Sequence, residues 1–214
     1  MTLAVDWVAV SSIVTAAATL VLAFATFASV RSANRAARVA ERSLLAGLRP
    51  LLMPSRSDDA AVKVGFADDK WFLIPGGGAV AEVADSAIYL AIPIRNVGSG
   101  IAVLHGWSFH ADPALGATDH PPVEEFRRLT RDLYIAPGEI GFWQGAFLDA
   151  AEPAFAEARA AIEEPRRVSV DVLYGDHELG QRSITRFALN PRDDGRWLAT
   201  VGRHWNVDRP DPRQ

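Results

Sequence analysis

From Val8 to Val30 the chain carries no charged residue, and no other stretch is patterned like it. Ten of these positions are bulky and apolar, seven are Ala and six are Ser or Thr. At about 1.5 Å per residue, 23 helical residues reach roughly 35 Å. A hydrocarbon core is about 30 Å thick, so residues 8–30 predict a transmembrane helix with some tilt. Ser and Thr are tolerated there because their hydroxyls bond back to the helix's own carbonyls. A secretory signal would place basic residues ahead of the apolar run, and Asp6 stands there instead. Helical character continues through a basic juxtamembrane stretch, 31–49, until Gly47 offers a C-terminal cap and Pro50 disfavours helix at Arg49.

Beyond Pro50 the period changes from 3.6 to 2. The clearest strand is Ser86 to Arg95, where Ile88, Leu90, Ile92 and Ile94 share one face. Pro93 lacks a donor there and points to an edge or a bulge. Further strands are expected at Leu51–Met53, Val62–Phe66, Trp71–Ile74, Ile101–His110, Leu133–Ile135, Ile140–Leu148, Arg166–Tyr174, Arg182–Leu189 and Arg196–Val207. A short helix is expected over Glu124–Arg131. A longer one is expected from about Ala150 to Glu164, with Asp149 and Glu152 as a capping box and Pro165 as its stop. Many short strands between Gly/Pro turns predict a mainly β domain over 50–207, an antiparallel sandwich with one inserted helix. Residues 1–7 form a short N-terminal segment and 208–214 a polar tail.

Charge sets the expected orientation. The whole chain carries −4. Arg31, Arg35, Arg38, Arg42 and Arg49 follow the span, opposed only by Glu41, and no arginine precedes it. Positive residues next to a span stay in the cytoplasm, so the N-terminus is expected outside and the β domain inside, at the plasma membrane. The arginines fall within an arc of about 60° on the helix. They can meet anionic headgroups or serve only as the orientation signal. The part from Pro50 onward must carry −7, which argues against nucleic acid as a partner. Membrane lipid and another protein are the expected partners.

Read as heptads, one seam of the helix passes through Ser12, Ala16, Thr19, Ala23, Thr26, Ala33, Ala37 and Ala40. Small residues let helices approach closely in lipid, so this seam is a candidate for self-association or for pairing with another membrane helix. An Ala-rich helix also offers such a seam by chance in one register of seven.

Three turn motifs lie in the β region. They are Asn96-Val-Gly-Ser-Gly-Ile-Ala102, Ile135-Ala-Pro-Gly-Glu139 and Val172-Leu-Tyr-Gly-Asp176. With the N-terminal helix and Arg49-Pro50 they resemble a broad group of uncharacterised bacterial proteins that carry one membrane helix and an immunoglobulin-like β-sandwich. The resemblance implies architecture and membrane attachment and assigns no activity.

Candidate chemistry is sparse. The chain has no cysteine, which removes disulfides, thiolate catalysis and Cys-based zinc sites. His105, His110, Asp112, Asp119 and His120 lie within 16 residues, but His105 and His110 have opposite strand parity. A ligand-binding or enzymatic site built from this loop is the alternative reading. Asp176 to Glu178 reads as a solvated turn. Gly76–Gly78 lacks the Lys-Ser/Thr of a phosphate loop. No catalytic constellation, metal or cofactor is expected. Arg203 and Trp205 are a candidate partner surface, since Trp and Arg anchor many interfaces. An extracellular sensing or adhesion domain is a third reading, against which the charge asymmetry stands.

Overall fold

A computed structural model describes residues 7–84, 86–111, 119–178 and 180–208. Residues 1–6, Asp112 and the tail beyond Asp208 lie outside the described residues, as does the side chain of Arg42. The chain divides into two compact units, Met1–Ala46 and Gly47–Gln214.

The first unit is one helix, α1, which runs Trp7–Gly47. Neither Pro nor Gly interrupts it before Gly47. Ser12, Thr15, Thr19 and Thr26 each donate to the carbonyl four residues back, at 2.8–2.9 Å, and Ser11 donates to Val8. Five of the six hydroxyl side chains of the apolar stretch are thus satisfied within the helix. Its most apolar window is fully exposed, and Trp7–Glu41 is long and apolar enough to cross a membrane as an anchor or to serve as a signal.

The second unit is mainly β. Its strands are β1 Leu52–Pro54, β2 Val62–Gly65, β3 Trp71–Ile74, β4 Gly78–Ala84, β5 Ala87–Asn96, β6 Ala102–His110, β7 Arg127–Ile135, β8 Ile140–Phe147, β9 Val168–Gly175, β10 Arg182–Pro191 and β11 Trp197–Asn206. Helix α2 spans Pro153–Glu163. Nine strands join in one curled antiparallel sheet, a half-barrel in the order β1-β5-β4-β11-β10-β9-β6-β7, with β8 on the other edge of β5. β2 and β3 form a separate hairpin. The alternation read in β5 holds: Ile88, Leu90, Ile92 and Ile94 enter the main core with Trp107, Trp143, Val170 and Phe187. Its other face, Tyr89 and Ala91, packs under the hairpin with Phe66 and Phe72.

Pro93 lies in a central strand, and the ladder explains why it is tolerated. β4 pairs with β5 through Ala91, and β1 takes over at Ile94. Pro93 falls at that break. Ser55 donates its amide to the Pro93 carbonyl at 3.0 Å, and only the return bond is missing.

The expected helix over Glu124–Arg131 is absent. A single 3-10 turn, Val123–Glu125, gives way to strand β7, which pairs with β6 from Ala102 opposite Ile135 to Trp107 opposite Arg127. Pairing along β6 overrides local helix propensity here. β4, where no strand was expected, is a strand whose small side chains lack a strong period-two signal. The expected capping box does not form: Asp149 instead accepts the amide of Ala151 at 2.9 Å, and Pro153 opens α2.

Between β7 and β8 the half-barrel is held by side chains. Arg127 pairs with Glu152 and lies over Trp107 and Phe147, 4.8 Å from each ring. Arg131 donates to Gln144 at 3.2 Å and to the Gly65 carbonyl. The β2–β3 hairpin closes with a three-residue loop. Phe66 N–H donates to Lys70 at 2.8 Å, Asp69 N–H to Phe66 at 3.3 Å, and Asp69 takes φ 62°. This is a type I turn followed by a left-handed residue, a position Asp tolerates.

Candidate functional site

The residues that follow α1 enter a built socket. Asn96 is fully buried and uses its whole amide on backbone groups. Its Oδ1 accepts the amides of Leu51 (3.2 Å) and Gly98 (3.0 Å). Its Nδ2 donates to the carbonyls of Gly100 (2.6 Å) and Ile135 (3.0 Å). Val97 N–H donates to Leu51 O at 2.8 Å and Ser99 N–H to Arg49 O at 3.0 Å. A Cβ on Gly98 would overlap the backbone of Arg49 to Leu51, and one on Gly100 would overlap the Leu48 carbonyl. The Asn96–Ala102 motif is therefore more than a turn, because its glycines admit the incoming backbone at contact distance.

On the far side of the entering strand, the Tyr174 hydroxyl accepts the Leu52 amide at 3.2 Å and meets Thr185 Oγ1 at 2.9 Å. Thr185 Oγ1 lies 3.0 Å from His204 Nδ1. Burial pushes the Tyr174 phenol above its usual pKa, against the smaller opposing effects of the Leu52 amide, Thr185 and Arg49. Arg49 itself reaches Ser183 Oγ at 3.5 Å. Three strands, β5, β9 and β10, together with the loop that follows β5, thus fix residues 49–52.

A second cluster lies on the outer face of β6, β9, β10 and β11. Asp171 is fully buried between Arg186, whose Nε and Nη2 donate at 2.6 and 2.7 Å, and His110, whose Nε2 lies 3.0 Å away. Burial opposes its charge, yet the hydrogen bonds of Arg186 and His110 outweigh burial and hold its carboxyl below the ordinary 3.8. The Arg186 guanidinium also lies 4.9 Å from the Trp205 ring centre, Arg203 lies 5.5 Å from it, and His120 meets its edge. Trp205 is only 5% exposed, so it is a covered core residue with Phe126, Leu173 and Ile184 and cannot be an exposed anchor. Arg203 is half-buried beside it.

The parity objection to His105 and His110 does not hold. β6 carries a bulge between Leu104 and Gly106, and His105 is the extra residue. After the bulge the alternation reverses, and both histidines reach the outer face. They still do not converge. The His105 ring packs against Gly175, and burial followed by the nearby charge of Arg182 lowers its pKa, with Asp176 opposing. His110 bonds Asp171, and His120 faces the Pro121 carbonyl and Trp205. Among the described residues no three His, Asp or Glu side chains are grouped to hold a metal ion. Asp176 is buried and accepts the Gly180 amide at 2.9 Å, which corrects its reading as solvated.

Along α1 the seam residues Ser12, Ala16, Thr19, Ala23, Thr26, Ala33, Ala37 and Ala40 are all exposed, as are Arg31, Arg35 and Arg38. On the β unit a cleft of about 660 Å³ opens between β3, β4 and the start of β11. No family model, curated protein or solved structure matches the chain.

Proposed function

We propose that this chain is a single-pass membrane protein whose β domain faces the cytoplasm and binds another protein. One observation carries the reading: the exposed, charge-free stretch of α1, followed but not preceded by arginines. Asp6 ahead of the stretch favours an anchor over a cleaved signal. The domain is an immunoglobulin-like sandwich in finer detail, akin to the bacterial membrane proteins it resembles. The narrow link between β4 and β11, two residue pairs only, supports two leaves within the curled sheet.

The helix holds the domain in an assembly through its small-residue seam. Because the hydroxyls of Ser12, Thr19 and Thr26 are spent on their own helix, close backbone packing rather than interhelical hydrogen bonding drives the association. Replacing Ala16, Ala23 and Ala37 by Leu is expected to convert an oligomer to monomer in membranes, read by crosslinking or single-molecule photobleaching. An unchanged subunit count in the triple variant removes the seam from the account.

A further inference from the structure

The β2–β3 hairpin is a sheet left one strand short. Its loop fixes which backbone groups face which way. Phe66 and Lys70 form a hydrogen-bonded pair, so the alternation of an antiparallel ladder makes Val64–Phe72 and Val62–Ile74 the next such pairs. Gly65, Lys63, Trp71 and Leu73 then point their amides and carbonyls away from the ladder. The β2 side bears this out, since the outward carbonyl of Gly65 is taken by Arg131. On the β3 side, among the described residues, no backbone bond outside the β2 ladder engages Trp71 or Leu73. Both side chains are large, apolar and exposed, at 56% for Trp71 and 72% for Leu73. Beside that edge lies the 660 Å³ cleft, lined by Leu73, Ile74, Val80, Glu82, Trp197 and Leu198. An open edge with a partly apolar cleft next to it is a template for an added strand.

We propose that β3 receives an extended segment of a partner protein as a third strand, with apolar side chains entering the cleft and basic residues at its ends. The basic character follows from charge: between residues 55 and 85 six acids stand against three basic residues. Trp71 and Leu73 supply four main-chain hydrogen bonds, and the cleft selects every second side chain of the incoming strand. The inference rests on the protein-binding reading above and names the class of partner.

The test uses the full chain in detergent or nanodiscs and a fluorescent Lys-Val-Thr-Val-Thr-Val-Lys peptide. Binding is expected to slow hydrogen exchange at the amides of Trp71 and Leu73. Leu73→Pro removes an outward donor while sparing the β2 ladder, and is expected to weaken binding at least tenfold with exchange in β5 and β9 unchanged. Glu in place of Lys in the peptide, or N-methylation of its alternate amides, is expected to weaken binding as much without touching the protein's fold. Equal binding to wild type and Leu73→Pro overturns the proposal, as does no binding at millimolar peptide. Protection of Trp71 and Leu73 that rises with protein concentration alone makes a second copy the occupant and overturns it too. A cellular partner crosslinked equally to wild type and Leu73→Pro keeps the protein-binding reading and removes strand addition.

Discussion

Asn96→Ala is expected to destabilise the β domain by about 3–5 kcal/mol. The substitution leaves the amides of Leu51 and Gly98 and the carbonyls of Gly100 and Ile135 without their partner. Each unpaired buried group costs about 1–3 kcal/mol, and partial access of water to the entry segment returns some of it. For a domain of this size that loss lowers Tm by on the order of 10 °C. Asn96→Asp is expected to cost at least as much, because a carboxylate cannot donate to two carbonyls. Gly100→Ala attacks the same socket from the other side, by overlap with the Leu48 carbonyl. Denaturant unfolding followed by tryptophan fluorescence measures all three, since Trp107 and Trp143 lie in the main core. A loss below about 1 kcal/mol for Asn96→Ala, the range of an ordinary surface change, rules out the socket as the keystone of the entry.

Asp171→Asn is expected to cost a similar amount, about 3–5 kcal/mol, by stranding the Arg186 charge in a buried site. Replacing both partners, Asp171→Leu with Arg186→Met, is expected to cost less than the single change. The pH dependence has a definite sign. The Asp171 carboxyl titrates lower in the folded chain than its ordinary 3.8, so the unfolded chain binds more protons in between. Its contribution is fully present above the ordinary value and is lost as the pH falls below about 3.8 through the folded value. In Asp171→Asn that part of the acid destabilisation is absent. Unfolding curves at neutral pH and across the acid limb read both effects. Parallel pH profiles for wild type and Asp171→Asn contradict the assignment.

Local patterns carried part of this structure. The apolar run of α1 and its stop at Gly47 were legible because both signals are local: composition, and a Gly followed by Pro50. The alternation of β5 was legible because one of its faces enters the main core. β4 was not, since Gly78-Ala-Val-Ala-Glu-Val-Ala84 becomes a strand only through its neighbour β5. The first half of β7 was misread as helix for a related reason, as its register with β6 is a long-range fact, while its end at Leu133–Ile135 was read as strand. The bulge at His105 reversed a parity that regular alternation had seemed to fix. Trp205 looked available because no sequence pattern reveals that Arg186, Arg203 and His120 gather over it. The socket was half legible. Its glycines and Asn96 marked a turn, but the segment they hold lies more than 40 residues away in sequence. The open edge of β3 was illegible, because an edge is defined by the strand that does not come.

Topology is the most direct test of the central claim. The chain has no cysteine, so Ser57→Cys, at an exposed position, is the only thiol in the labelled protein. Ser183 is buried and unsuitable. Intact cells are treated with a membrane-impermeant maleimide, with lysed cells as the reference. A single-pass protein with a cytoplasmic β domain is labelled at residue 57 only after lysis, while Thr2→Cys is labelled in intact cells. Labelling at residue 57 in intact cells, with Thr2→Cys protected, contradicts the account and places the β domain outside.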